Sequence, residues 1–378
     1  MSAVAEIAAI GGVQGVDAAT WDALAGAQSP FACHDFFASL EESGSAVAKT
    51  GWQPLHLVAR DAQGVIHGIA PLYGKSHSMG EYVFDQSWAQ ALERAGIAYY
   101  PKLQLSVPFT PATGPRLLTE DDNVAAQLIG GVEQLASAHG FSSAHATFLH
   151  EKDIACFSAA GWLLRHDIQF HWHNQGWRDY EDFLGALASR KRKALRKERA
   201  AIAAEGLEIV WLQGAEISDA DWDDFWVFYM DTTGRKWGRP YLTRDFFAMI
   251  GARMADRILL ILAKRDGKAI AGALNFIGSD ALYGRYWGCR EDVPGLHFEL
   301  CYHQAIDFAL AHGLARVEAG AQGPHKLARG YVPTRTTSAH WIAHEGLRAA
   351  VAQFLAQEKA AIDHEITALM AESPYRRA

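Results

Sequence analysis

Between residues 280 and 331 the chain concentrates side chains that can move protons and hold anions. It reads Asp280-Ala-Leu-Tyr-Gly-Arg-Tyr-Trp-Gly-Cys289, then Leu296-His-Phe-Glu-Leu-Cys-Tyr-His303. Glu318-Ala-Gly-Ala-Gln-Gly-Pro-His-Lys-Leu-Ala-Arg-Gly-Tyr331 comes next. The hydrophobic patterning puts these polar groups at strand ends and in the turns after them, where open α/β sheets bind ligands. Strand alternation sets Tyr283, Arg285 and Trp287 on one face and Gly284 and Tyr286 on the other. Arg285 there either forks onto a carboxylate or phosphate, or pairs structurally with Glu299 or Glu318. Glu299 lies among Leu296, Phe298 and Leu300, an apolar setting that raises a carboxyl pKa and suits a general base.

After Glu318, Gly320 and Gly323 permit close backbone approach to a ligand. Gln322, His325, Lys326 and Arg329 are then placed to bind phosphate or a peptide carboxylate. The candidate set for chemistry is Glu299, Lys326 and Arg285. Tyr286, Trp287, His297, Glu318, Gln322, His325, Arg329 and Tyr331 are the candidates for substrate contact. A structural turn and a helix with one satisfied polar pair are the competing readings.

A second feature is Ser189-Arg-Lys-Arg-Lys-Ala-Leu-Arg-Lys-Glu-Arg199, with seven cationic side chains against Glu198 alone. Arg190, Lys191, Arg192, Lys193, Arg196 and Lys197 are candidate phosphate contacts, which would make binding steeply salt-dependent. A solvated helix face is the alternative. No aromatics interleave these cations, so base-specific RNA recognition is not indicated. The chain as a whole carries a net charge of −8, which excludes a protein dedicated to coating nucleic acid.

Four widely spaced cysteines form no CxxC pair, as expected of reduced thiols in the cytoplasm. His171-Trp-His173 places two imidazoles on one strand face, read as solvent-side. With no HExxH and no Cys/His ligand spacing, no metal site is expected. No GxSxG or Cys-His-Asn pattern supports covalent catalysis. No apolar run of about 18 residues suggests a membrane span.

The elements that must position these groups are strands and helices in alternation. Leu55 to Arg60 and Val65 to Tyr73 read as a hairpin about Asp61-Ala-Gln-Gly64, and Leu103 to Phe109 as a further strand. Asp121 to His139 has helical spacing and stops at Gly140. Strands are read over 143–149, 162–173 and 207–212, and helices over 219–231 and 244–255. A strand over 257–264 turns at Arg265-Asp-Gly-Lys268 into paired strands 269–277 and 281–288. A helix over 296–312 and a strand over 315–319 close the unit, which implies a parallel pair. The element order recurs, which divides the chain into domains at 1–185 and 207–378 with a basic connecting helix at 186–206.

Gly284-Arg-Tyr-Trp-Gly-Cys289, Leu296-His-Phe-Glu-Leu-Cys-Tyr302, the 318–331 segment and the basic helix resemble a bacterial family of N-acyltransferases. Its members are described as peptidoglycan biosynthesis/recognition proteins, and the resemblance runs from about Phe31 to near the C-terminus. The relatives are Fem-type aminoacyl transferases. The resemblance implies an α/β fold of tandem GNAT-like (acyl-CoA N-acyltransferase) domains with mixed central sheets. Lys326 matches the Lys of the Fem Phe-Lys-x-x-Phe-Gly-like segment, which contacts donor or acceptor phosphate. GNAT enzymes that use CoA carry a Gly-rich pyrophosphate loop where this chain has Cys289 to His297. Glu291 and Asp292 oppose an anion there, and Pro294 removes a donor. The expected reaction is acyl transfer from an activated ester to the amine of a peptide, amino acid or cell-wall precursor. No cofactor is held, and the co-substrate is aminoacyl-tRNA or acyl-CoA. A binding protein that kept the fold and recognises a peptidoglycan fragment or RNA is the alternative.

Overall fold

Short runs rich in apolar residues, many of them buried on both faces, build most of the strands, and the computed structural model describes residues 4–237, 240–320 and 323–376. The chain divides into two units. The first comprises the residues up to Asp167 and Arg335–His364, and the second Ile168–Thr334 and Glu365 onward. The expected boundaries at 185 and 206 are therefore displaced. The chain crosses from one unit to the other inside two strands and inside the helix Glu345–Ala371, and the basic helix lies within the second unit.

In the first unit β1 (Val4–Ile10), β3 (His56–Asp61) and β4 (Ile66–Ala70) form a small antiparallel sheet. β2 (Trp52–Pro54), β5 (Leu72–Lys75) and β6 (Lys102–Leu105) are antiparallel neighbours, and β7 (Ser143–Ala146) runs parallel to β6. The single strand expected over 65–73 is cut in two at Pro71, which has no N–H to give a ladder. The strand expected over 103–109 stops at Leu105, before Pro108. Helix Asp122–His139 begins where Asp121 accepts from the backbone N–H groups of Asn123 and Val124, and ends at left-handed Gly140. Its Leu128, Ile129 and Val132 pack on Leu72, Leu103, Leu105 and Ala144 of the sheet.

The other face of that sheet is polar and buried. Trp52 lies opposite Lys75, Lys75 opposite Lys102, and Gln104 opposite His145. The segment between β5 and β6, unread in the sequence, supplies the counter-charges. Lys102 Nζ donates to Glu81 at 2.7 Å and also to Asp85, and Lys75 Nζ sits 3.4 Å above the Trp52 ring.

β8 (Leu163–His173) carries the chain into the second unit. There β9 (Glu208–Gln213), β10 (Ile258–Arg265), β11 (Lys268–Ile277), β12 (Ala281–Cys289) and β13 (Arg316–Glu318) succeed it. The order is β9-β10-β11-β12-β13-β8, antiparallel throughout except for the parallel pair β12 and β13. Asp266 and Gly267, both at positive φ, close the two-residue β10–β11 hairpin, as its sequence foretells. β14 (Val332–Ile342) then returns the chain to the first unit, where it pairs with β7.

One face of the second sheet packs on residues 296–311, and the core there includes Leu259, Ile261, Leu282, Leu300, Ile306 and Val317. That helix is not continuous α: Glu299–His303 forms a π-helical turn. The extra residue shifts the facing of the side chains around it relative to a regular α-helix. Helix Asp219–Trp237 packs along β12, closely enough that a Cβ at Gly288 would stand 2.0 Å from the Phe228 carbonyl oxygen. The basic helix, Ser189–Ala204, buries only Leu195 and Ile202.

Candidate functional site

The site grows from a divergence of strands. β12 runs nine residues, but only Ala281, Leu282 and Tyr283 pair with β13. Beyond Tyr283 the β12 edge that faced β13 has no strand partner among the described residues, a gap in the hydrogen-bond ladder. A β-bulge lies at the same level: Asn275 pairs with Gly284 and Leu274 with Tyr286, leaving Arg285 as the extra residue. A bulge re-aims side chains and reverses the facing of the residues beyond it. The expected common face of Tyr283, Arg285 and Trp287 is therefore broken. Tyr283 shares the face of Glu318, whereas Trp287 packs against the helix-bearing core on the other side. Arg285 is half-buried, with its guanidinium 5.1 Å from the Tyr286 ring centre.

Glu318 ends β13 at this parting. It is 5% exposed, and burial pushes its carboxyl up to about 7 against the opposing pull of Arg316, whose Nε donates to it at 3.0 Å. Its Oε2 has no hydrogen-bond partner, and His171 Nε2 stands 3.7 Å away. His171 is buried, not solvent-side as its sequence suggests; desolvation, then the charges of His173, Arg316 and Lys326, push it down to about 3. It is therefore a neutral imidazole at ordinary pH. Lys326 is also buried, its Nζ donating to the Gly320 carbonyl at 2.8 Å, and desolvation lowers it to about 8.

Asn275 was not singled out by sequence reasoning. It is 1% exposed in the bulge, donates to the carbonyls of Leu259 and Ala273, and leaves Oδ1 without a partner. A Cβ at Gly284 would lie 3.3 Å from that oxygen, so the missing side chain keeps the approach open. The available signal was a lone amide in an otherwise apolar strand. The parting thus has a buried, unsatisfied acceptor on each face of the sheet, Glu318 Oε2 on the side of Tyr283 and Asn275 Oδ1 on the side of Leu259. Each costs about 1–3 kcal/mol while unpaired.

Beside the gap, Trp287, His297, Phe298, Tyr302 and His325 form an aromatic cluster. The His297 ring lies 5.2 Å from Trp287 and 5.5 Å from Tyr302, and Tyr302 Oη is 2.9 Å from His325 Nε2. Trp287, His297 and Phe298 also line a cavity of about 460 Å³, together with Cys289, Glu291 and Asp292. Tyr286 turns to the opposite side, against Tyr229 and Phe247.

Other candidates serve structure. Glu299 Oε1 accepts from Arg199 at 3.0 Å and Gln304 at 2.8 Å, so this carboxylate faces the basic helix as an ion-paired strut. Arg329 forks onto Glu198 through Nε at 2.9 Å and Nη2 at 2.6 Å, donates to the His325 carbonyl, and stacks 3.4 Å above Phe298. Substrate would have to displace Glu198 to reach it. Tyr331 is fully buried, 5.4 Å from the Tyr302 ring. Gln322 lies outside the described residues.

On the basic helix, Arg190, Lys193, Arg196 and Lys197 are exposed and Lys191 and Arg192 half-exposed. Arg196 is bound to Glu181. Arg190 and Lys191 border a groove of about 370 Å³ whose other wall is Ala328 and Arg329. Arg199 points inward to Glu299 and Asp307 and stacks on Tyr180. Among the described residues no helix is long and apolar enough to cross a membrane, and no cluster of His, Cys, Asp and Glu is arranged to hold a metal.

The model of the FemAB-like family, described as peptidoglycan biosynthesis/recognition, matches residues 12–377. Among solved structures, FemX superposes with a TM-score of 0.55 at 11% identity, covering 89% of this chain and 98% of its own. L-PGS from Bacillus licheniformis superposes with a TM-score of 0.50 at 11% identity, covering 90% and 96%. At such identities these structures establish the fold, a mixed α/β arrangement of tandem GNAT-like units. No curated protein sequence matches the chain.

Proposed function

The chain belongs to the FemAB-like family of peptidoglycan biosynthesis/recognition proteins, and from that premise we propose that it is an N-acyltransferase. The observation that carries the reading is Glu318 where β12 and β13 part: a buried carboxyl with one oxygen unsatisfied, raised by burial to about 7. An amine is the ligand chemistry such a carboxyl accepts, since its N–H group donates to the free oxygen. Glu318 replaces Glu299 as the base: it takes the proton from the amine as the new N–C bond forms. The acyl carbonyl oxygen gathers negative charge, which in this reading Arg285 and Lys326 stabilise. The carbon–oxygen or carbon–sulfur bond to the donor then breaks, and the proton held by Glu318 passes to the leaving group. No metal or covalent enzyme intermediate enters this sequence.

The acceptor is the amine of a peptide, amino acid or cell-wall precursor, and the aromatic cavity beside Trp287 and His297 holds its remainder. Aminoacyl-tRNA is the donor in this reading, supported by the outward cations of the basic helix and by Glu291 and Asp292, which oppose a pyrophosphate. A transfer assay with labelled aminoacyl-tRNA and acyl-CoA in parallel, against cell-wall precursor peptides, tests it. Turnover with either donor, abolished in Glu318→Gln, is the expected result; turnover indifferent to that change overturns the assignment of the base.

A further inference from the structure

The one acid of the basic helix has a task of its own. Leu195, Glu198, Arg199 and Ile202 follow the i, i+3, i+4, i+7 spacing of a single helical face, and that face is turned inward. Glu198 hydrogen-bonds the turn carrying His325 and Lys326 through Arg329. Its Oε1 accepts from Arg329 Nε at 2.9 Å and lies 2.7 Å from His303 Nε2, and its Oε2 accepts from Arg329 Nη2 at 2.6 Å. His303 is anchored in turn by Tyr180, whose hydroxyl lies 2.6 Å from Nδ1.

Arg329 extends the chain of contacts. Its Nη1 donates to the His325 carbonyl at 2.9 Å, and its guanidinium lies flat on Phe298. His325 and Arg329 bracket Lys326, which the short helix Pro324–Arg329 holds with its ammonium against Gly320. Five donors in a fixed plane make Arg329 a rigid spacer rather than a point charge. The carboxylate of Glu198 is held well ionised, at about 2, by His303 and Arg329.

We infer that Glu198 is a positioning residue: by gripping Arg329 from the basic helix it fixes the turn that keeps Lys326 buried at the strand parting. A carboxylate is required because a carboxamide has a single acceptor atom, which cannot serve both arms of the guanidinium and the imidazole. The floor of the groove bordered by Arg190 and Lys191 is this same clamp. The consequence for catalysis rests on the acyl-transfer reading; the positioning itself does not.

The test is chemical labelling of lysine amines in the full chain by reductive methylation, read residue by residue by mass spectrometry in Glu198→Gln and, independently, Arg329→Lys. Lys75 and Lys102, fully buried in the first unit, are internal controls. Released from its turn, Lys326 should label at least about fivefold faster in both variants per unit of neutral amine, the rate being corrected for its own titration, and titrate closer to the ordinary lysine value of about 10.4, with the controls unchanged. Unchanged Lys326 labelling overturns the inference. So does a parallel rise at Lys75 and Lys102, which would mean general loosening. If transfer activity is found, kcat should fall about tenfold, roughly 1.4 kcal/mol, with KM within about twofold. Absence of any transfer would count against the proposed reaction while leaving the labelling result to decide the clamp.

Discussion

At the scale of single residues, the pairing of Glu318 with Lys326 makes a prediction about pH. Glu318 must lose its proton to act as a base, and burial sets that loss at about 7. Lys326 must keep its proton to stabilise negative charge, and desolvation sets that loss at about 8. The transfer rate should therefore rise through about pH 7 and fall above about pH 8, a narrow bell. Glu318→Gln should remove the acidic limb with a loss of about a hundredfold or more, in the range of general acid–base contributions. Lys326→Met should remove the alkaline limb. A profile flat from pH 6 to 9 in the wild-type chain would exclude both roles. Lys326 and Glu318 were visible in the sequence because a polar cluster after a strand with adjacent glycines is a recognisable pattern. The partner of Glu299 was not legible for a physical reason. Its chain neighbours are apolar, but the group that pairs with it is Arg199, 100 residues away in sequence and 3.0 Å away in space.

At the scale of elements, most strands and helices were legible because their periodicity is intact, and the bulge and the π turn were not. Each inserts one residue into a regular pattern, and nothing in the types at Arg285 or Leu300 announces it. The site depends on both irregularities, since they decide which side chains face the gap. The seat of β12 against helix Asp219–Trp237 gives a test of the element itself. Gly288→Ala sets a methyl group 2.0 Å from a backbone oxygen that cannot rotate away. It should cost about 3 kcal/mol or more, at or above the usual overpacking range, read as a fall in the urea midpoint. Gly185→Ala, with open space at its Cβ, is the control and should be stabilising or neutral. The basic helix carries a separate prediction. Arg192→Glu with Lys193→Glu reverses two outward cations and should flatten the dependence of tRNA affinity on salt. The slope of log K against log salt should fall by about 2 to 4 if those side chains meet phosphates. Equal slopes in the two proteins would return the helix to a solvated face.

At the scale of the whole molecule, buried ionisable groups link stability to acidity. His145 in the first unit and His171 in the second are buried neutral, each pushed down to about 3, and His340 beside His145 is likewise far below its ordinary value. The His145 and His340 Nδ1 atoms lie 2.7 Å apart, so one ring donates and the other accepts, an arrangement that two protonated rings cannot make. A histidine whose folded pKa is depressed stabilises the fold fully above its unfolded value of about 6.5, and the contribution fades as pH falls toward the folded value. Glu318 acts with the opposite sign: raised to about 7, it holds a proton in the folded state that the unfolded chain has released above about pH 4.5. Between about pH 4.5 and 6.5 the unfolded chain thus gains protons on these histidines that the folded state refuses, with His77, His166 and His173 lowered in the same direction, while Glu318, Glu81 and Asp307 hold protons that the unfolded chain releases. The histidines outnumber the raised carboxyls, so stability should fall as the pH is lowered through that window, by roughly 1 kcal/mol per unit for each net proton. Urea unfolding at pH 6.5, 5.5 and 4.5 measures the slope directly. Glu318→Gln removes one opposing group and should steepen the loss by roughly 1 kcal/mol per unit, one proton more. A stability that holds level down to pH 4.5 would mean that these imidazoles are not sealed from solvent, and the neutral environment proposed for His171 beside the acyl-transfer site would fall with them.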